Sequence, residues 1–366
     1  MTSAKPFVIP KRLVLEAYER VKANQGAAGI DGQSIEEFDC QWSKNLYRIW
    51  NRMSSGSYFP PAVKAVPIPK KSGGERILGV PTVSDRIAQT VVTLVLEPKL
   101  EPVFHEDSYG YRPRKSAHDA LSVTRKRCWE RDWVLEYDIR GLFDNIDQRL
   151  LLKALRHHCK DRWVLLYVER WLIAPMQCKN GTQTARTVGT PQGGPLSPVL
   201  ANLFLHYALD RWLTVHHPDI PFCRYADDGI LHCRTEAEAN WLHEQLDKRL
   251  KDCGLEIHPE KTRIVYCKDS KRTGTHKHVS FDFLGYTFRP RRIVDGRGRV
   301  RAGFTPAVSR QSMKAMRQSM RRWHLTLRSE LSLEDLAWMT SRRVRGWISL
   351  LLSFSGIRVP TCRGLS

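Results

Sequence analysis

Two adjacent aspartates, Asp227 and Asp228, stand in the stretch PFCRYADDGILHC (221–233) between apolar, strand-like runs. A two-residue tip between strands places both at the end of a hairpin, and Asp228-Gly229 has turn chemistry. A polar hairpin tip accounts for one aspartate well and for two poorly. Cys223, Ile230 and Cys233 imply a mostly buried hairpin, where paired carboxylates are costly unless a cation neutralises them. Asp138 raises the same question at the end of another apolar run, DWVLEYDI (132–139); an edge-strand cap is its plainer reading. Three carboxylates on the ends of neighbouring strands make an oxygen-ligand site of the kind Mg2+ takes, with substrate phosphates completing the shell. Two such ions about 3.5–4 Å apart activate a hydroxyl and stabilise a leaving pyrophosphate oxygen.

The overall charge supports chemistry on phosphates. The 366 residues hold 59 Lys and Arg against 38 Asp and Glu, a net charge of +21. Charge that only aids solubility would be spread evenly, but residues 291–366 hold 16 Lys and Arg against 4 Asp and Glu. Phosphate contacts supply most non-specific nucleic-acid affinity, so the partner expected is nucleic acid. Together with the carboxylates, this points to nucleotidyl transfer. Nine cysteines, an odd number with no C-x-x-C spacing, argue against a zinc module or disulfide framework and for a reducing cytosol. MTSAKPFVIP lacks the apolar core of a signal peptide, and runs such as VVTLVL (91–96) are too short to span a bilayer. Neither secretion nor membrane insertion is expected.

The elements that must position the aspartates can be read from periodicity. Residues 11–24 form a basic helix, 34–54 a polar helical segment, and 58–81 two strands around a KKSGGER tip. Residues 84–101 form a helix with Ile87, Val91, Leu94 and Val95 on one face. Residues 147–159 form a helix capped by Asp147, and the loop GTPQGGPLSP (189–198) leads into another, with Ser197 as cap and Pro198 in its first turn. Thr235 and Glu238 have capping-box spacing ahead of a Leu242, Leu246, Leu250 stripe, and Gly254 ends that helix. Met313, Met316, Met320, Trp323 and Leu327 fall on one helical face as a core stripe. Arg310, Lys314, Arg317 and Arg321 fall largely on the other, a candidate duplex-binding surface. Strands and helices interleave without a dinucleotide fingerprint, so the expected class is α+β, an antiparallel sheet backed by helices.

At this point the residues match a family. YADD (225–228) is similar to the active-site box of reverse transcriptases, and YDIRGLFDNID (137–147) resembles their first carboxylate motif. GTPQGGPLSPVLANLFL (189–205), GLEIHPEKT (254–262) and FLGYTF (283–288) resemble the motifs that follow, in order. NQGAAGIDG (24–32), PIPKKSGGERILGVPTVSDRIAQ (67–89) and SYGYRPRKSAHDAL (108–121) resemble N-terminal and fingers motifs of group II intron reverse transcriptase/maturases. The resemblance covers roughly residues 20–305.

It implies a right-hand polymerase fold: N-terminal extension and fingers over 1–125, palm over 126–290, and a basic helical thumb over 291–366. It implies a chain that extends a DNA or RNA primer on an RNA template, which the intron itself would supply, using deoxynucleoside triphosphates and two Mg2+ ions. Asp138, Asp227 and Asp228 would bind the metals, and Lys261 would protonate the leaving pyrophosphate. Lys70 and Arg76 would clamp the triphosphate, with Arg112 a further candidate for that pocket or the template. Ile139, Arg140, Gly141, Leu142, Gln192 and Ala226 would line the nucleotide. Phe143, five residues after Asp138, would exclude a ribose 2′-hydroxyl. Gly193, Leu284, Gly285 and Tyr286 would meet template or primer. RRVRGWISLLLSFSG (342–356) resembles the start of the thumb's closing part, whereas IRVPTCRGLS departs from the family, so neither an endonuclease domain nor a full DNA-binding region is expected. Two other readings share these residues: an RNA-binding maturase without catalysis, and a free-standing reverse transcriptase recruited to antiviral defence.

Overall fold

The computed structural model describes residues 5–69, 74–294, 298–328, 330–352 and 354. It divides into two compact units: residues 1–114, 139–218 and 246–257 in one, and 115–138, 219–245 and 258–366 in the other. Strands in chain order are β1 (Val63–Pro69), β2 (Glu75–Val80), β3 (Trp133–Asp138), β4 (Met176–Gln177), β5 (Gln183–Thr184), β6 (Phe222–Tyr225), β7 (Asp228–Cys233), β8 (Arg263–Tyr266), β9 (Phe281–Phe283), β10 (Tyr286–Val294) and β11 (Val300–Val308).

The first unit is mainly helical, with a small sheet of order β2-β1-β4-β5. β1 and β2 pair antiparallel from Lys64↔Val80 to Pro69↔Glu75, as the hairpin reading expects. The centre is helix Val83–Leu100, where one apolar face was expected. Instead Ile87, Ala88, Val91, Val92, Leu96 and Leu100 are all fully buried, while Leu94 and Val95 are only half-buried. A helix covered on several sides has no single apolar stripe for periodicity to report. Its polar first turns are buried with it. The Tyr58 hydroxyl (2.9 Å) and Trp171 Nε1 (2.7 Å) both donate to Asp85 Oδ1, and Gln89 Nε2 donates to Oδ2 at 2.9 Å. Burial lifts the Asp85 carboxyl to about 6, and these three donors hold it from rising further.

Asp147 caps helix Gln148–His158 as expected, accepting from Leu150 N at 2.9 Å. Ser197 does not cap its helix. It is the first helical residue of Ser197–Leu205, and its hydroxyl donates to Pro191 O at 2.7 Å and pairs with Thr190 Oγ1. The hydroxyl therefore closes the preceding loop, which a capping pattern cannot distinguish from a cap.

The second unit holds two antiparallel sheets, β6-β7-β3-β8 and β11-β10-β9. Helix Ala117–Glu130 packs on the first through β6 and β7 and on the second through β11. Leu242, Leu246 and Leu250 of helix Glu236–Asp252 are fully buried. The expected methionine stripe is only partly core. Met316 is buried, but Met320 is 45% exposed and Leu327 76%. Helix Arg310–Arg321 ends before Trp323, and Leu325–Leu327 is a separate 3-10 turn, so the helical phase that aligned these residues stops at Arg321.

Candidate active site

In β3 every residue is buried except Glu136, which is half-buried. Strand alternation puts Glu136 and Asp138 on one face. Asp138 lies opposite Asp228 in the β3–β7 register, and Tyr225 lies opposite Asp228 in β6–β7. The hairpin tip is therefore Ala226-Asp227, and Asp228 begins a strand instead of sitting in the turn. Gly229 is likewise a strand residue, not a turn residue. A Cβ there would lie 2.1 Å from the Tyr137 ring, so the close crossing of that ring is what requires glycine. Ala226 carries the left-handed conformation of the turn, φ +57°. Arg224, fully buried, donates from Nη1 to Ala226 O at 3.1 Å and holds that peptide in place.

These strand ends bring three carboxylates together. Burial raises Asp227, and the charge of Asp138 adds to it. Asp228 is pushed up to about 8, first by burial, then by a hydrogen bond with Asp138 and the charge of Asp227. Lys261 Nζ donates to Asp138 Oδ2 at 3.0 Å, and Lys261 is raised: its partial burial acts against this, and Asp138 and the other two carboxylates outweigh it. No ion pair reaches Asp227 or Asp228 among the described residues.

The arrangement fits a divalent cation. Burial and the two neighbouring carboxylates hold Asp228 well above the usual carboxylate range, which disfavours its charged form until a cation is near. Among the described residues no three metal-binding side chains close a site by themselves. A cation held there would draw the rest of its shell from phosphates and water. Beside Asp138 and Asp228 opens a cavity of about 810 Å³, bordered by Lys261 and by Arg263, Arg289, Arg291 and Arg310. It also contains Glu136 and Asp282, which the sequence reading missed. Glu136 is pushed up to about 8 by burial and by Asp282 and Asp228, against the pull of Arg263. Its i, i+2 spacing from Asp138 was the available signal.

The residues expected around the nucleotide lie mainly in the first unit. Gly141 takes the left-handed conformation that starts the short helix Leu142–Asn145, where Phe143 is half-buried with its ring 6.5 Å edge-on to Tyr111. Ile139 and Leu142 are core, and Arg140 is exposed, pairing with Glu256 at 3.4 Å. The GTPQGGP loop is fastened at both ends. Thr190 N donates to Phe143 O at 2.7 Å, and Gly79 N of β2 donates to Gln192 O at 2.7 Å. Gly193, φ +119°, approaches β2 so closely that a Cβ would stand 2.6 Å from Gly79 O. Gln192, Phe143 and β2 with its exposed Arg76 are thus tied into one frame; Lys70 lies outside the described residues.

Arg112 was expected near the triphosphate or the template. Its guanidinium is buried and forked on Glu101, with further bonds to Glu101 O (3.4 Å), His105 O (2.5 Å) and Ser108 O (2.7 Å). All five donors are occupied within the protein. Tyr286, expected to meet template or primer, has its ring buried and its hydroxyl donating to Leu350 O at 2.7 Å. Leu284 (φ +50°) and Gly285 (φ +81°) form the turn before β10, which is anchored by Ser309 N and Ser312 Oγ donating to Gly285 O. Arg317 and Arg321 are exposed on their helix.

Residues 68–288 match the family model described as reverse transcriptase (RNA-dependent DNA polymerase). The chain belongs to the reverse transcriptase family. It is similar to the group II intron-encoded protein LtrA of Lactococcus lactis subsp. cremoris, 29% identical over 345 residues, covering 75% of this chain and 55% of LtrA. It is also similar to protein YkfC of Escherichia coli (strain K12), 29% identical over 327 residues, covering 78% of this chain and 82% of YkfC. The chain thus spans about half the length of LtrA. Among solved structures, telomerase from Candida albicans superposes with a TM-score of 0.50 at 16% identity, over 69% of this chain and 48% of that one. The polymerase fold read from the motifs is that of the family. No helix among the described residues is long and apolar enough to cross a membrane.

Proposed function

We propose that this chain is an RNA-directed DNA polymerase of the group II intron type. It would extend a DNA or RNA primer on an RNA template, most simply the intron RNA itself. One observation carries the reading: Asp138, Asp227 and Asp228 meet at strand ends, and among the described residues only Asp138 has a direct ion pair, with Lys261. In the reaction the primer 3′-oxygen bonds to the α-phosphorus of a deoxynucleoside triphosphate, the bond to the β-bridging oxygen breaks, and pyrophosphate leaves. Divalent cations held by the three aspartates, read as two Mg2+, would ease deprotonation of the 3′-hydroxyl and neutralise the pyrophosphate.

The chain's own residues supply the rest. Lys261 holds a proton at Nζ within reach of Asp138 and is raised, so it stays charged at neutral pH and can give that proton to the leaving group. Arg76 meets the triphosphate with its fork. Gln192 and the backbone of Arg140 to Leu142 line the nucleotide, and Ala226 shapes the turn beside it. Phe143 closes the place of a ribose 2′-hydroxyl. Gly193, Leu284 and Gly285 offer backbone to the template and primer, and Arg317 and Arg321 offer charge to the duplex. Fingers, palm and thumb over 1–125, 126–290 and 291–366 remain our division of these roles.

Assistance to intron RNA splicing is a second activity, favoured by the intron-encoded relatives and separable because binding alone needs none of the three aspartates. Primer extension on an RNA template with Mg2+ tests the polymerase reading. Deoxynucleotides should be incorporated in preference to ribonucleotides, and Phe143→Ala should narrow that preference by about 10-fold or more. Absence of any extension by the wild-type chain, with RNA binding intact, would leave only the binding role.

A further inference from the structure

A second cavity, of about 440 Å³, lies wholly within the first unit. Helix Gln148–His158 forms one wall through Leu150, Lys153, Ala154 and His157. Phe204, Tyr207, Ala208 and Arg211 form another, and Arg249, Asp252 and Cys253 complete it. It contains none of the residues assigned to polymerisation. Its size falls within the roughly 300–1,000 Å³ of small-ligand pockets.

An irregularity in the chain builds this cavity. Residues His206–Asp210 form a π-helical turn between helix Ser197–Leu205 and helix Arg211–His216. Such turns are rare and are frequent at functional sites. Here the turn leaves carbonyls that Arg249 takes up, Nε donating to Ala208 O and Nη2 to Tyr207 O, both at 2.9 Å. The Tyr207 hydroxyl is fixed by His158 Nε2 at 2.6 Å, so the half-buried ring is held as a platform. The Arg211 guanidinium lies 5.8 Å from the centre of that ring. Lys153, His157 and Arg211 are exposed at the mouth, and no ion pair neutralises any of them among the described residues. The positive potential is felt locally: His158 is lowered by burial and then by His157 and Arg211.

A fixed aromatic ring, apolar walls and the cations Lys153 and Arg211 at the rim match one flat base joined to a phosphate. Unstacked bases are held on aromatic rings, with basic groups on the backbone. Asp252, the one carboxylate among the described lining residues, would repel phosphate but accept a hydrogen bond from a ribose hydroxyl. An acidic peptide would have no use for the ring and would avoid Asp252.

We propose that this cavity binds a single unstacked ribonucleotide of a folded RNA, giving the chain an RNA contact separate from its polymerase centre. The proposal rests on the RNA-handling reading above, but its test does not depend on polymerisation. The full chain is photo-crosslinked to an RNA hairpin carrying 5-iodouridine in its loop, and adducts are mapped by mass spectrometry. Adducts on Tyr207 or His157 are expected. In parallel, hairpin affinity is compared for the wild type, Ala154→Trp, which fills the cavity, and the surface variant Lys153→Glu/Arg211→Glu. Each variant should bind the hairpin about 10-fold more weakly while extending a primer on a short unstructured template at the wild-type rate. Adducts confined to other residues, with affinity unchanged in both variants, would overturn the proposal. So would equal affinity for a DNA hairpin of the same sequence. Failure of wild-type primer extension would overturn the polymerase reading alone, because the adduct map is read without nucleotides.

Discussion

Asp85 and Asp228 are both carboxylates withdrawn from water, and they differ in what faces them. Asp85 meets three neutral donors, from Tyr58, Gln89 and Trp171, and its carboxyl rises only to about 6. Asp228 meets Asp138 and Asp227, and it rises to about 8. The first site is closed by the protein and can take nothing more. The second leaves Asp227 and Asp228 without a direct ion pair among the described residues, so a ligand brought in can complete it. Burial alone therefore does not mark a functional carboxylate; a carboxylate whose neighbours are carboxylates does.

The contrast is most easily broken by substitution. Asp227→Asn or Asp228→Asn should lower primer extension by at least about 10⁴-fold, the scale for removing a group from a catalytic unit. Melting temperature should hold or rise, because mutual repulsion is relieved; a fall of many degrees would mean that these side chains also support the fold. Lys261→Met should cost about 10²- to 10³-fold in the rate of the chemical step, the range for a general acid. Nucleotide affinity, read from KM, should change much less.

Asp85→Ala should do the reverse. Extension per folded molecule should persist, while stability falls by roughly 3 kcal/mol as three buried donors lose their acceptor. Denaturant unfolding measures this, and an inactive but fully stable variant would contradict it.

The two sites were not equally legible in the sequence. YADD and Asp138, at the end of an apolar strand, announced themselves because charge breaks an apolar pattern. Arg224 did not, although it adjoins YADD. An arginine in a strand reads as solvent-facing, and only the folded turn shows it buried against Ala226 O. Arg112 and Tyr286 show the converse: they sit within motifs, and the fold engages their polar atoms internally, which no motif reports. Asp85 gave no signal in the sequence, because Tyr58 and Trp171 come from 27 positions earlier and 86 positions later. Local pattern cannot foresee partners that arrive from elsewhere in the chain.

The smallest effect sharpens the contrast through pH. In the folded chain Asp85 keeps its proton up to about 6, whereas the unfolded chain releases it near the ordinary value of 3.8. Its contribution is thus full below about pH 4 and declines as pH rises to about 6, by on the order of 3 kcal/mol. The stability of the wild type relative to Asp85→Asn should fall across that window and level off above it. A difference that stays flat from pH 4 to pH 7 would show that Asp85 is not desolvated as described.

The most direct measurement is single-turnover extension of a primer on an RNA template with Mg2+, run side by side for the wild type, Asp228→Asn and Asp85→Asn. Extension by the wild type and Asp85→Asn, with none by Asp228→Asn, is the predicted result. Extension by Asp228→Asn at the wild-type rate would contradict the account, because the strand-end carboxylates would then not be the catalytic centre.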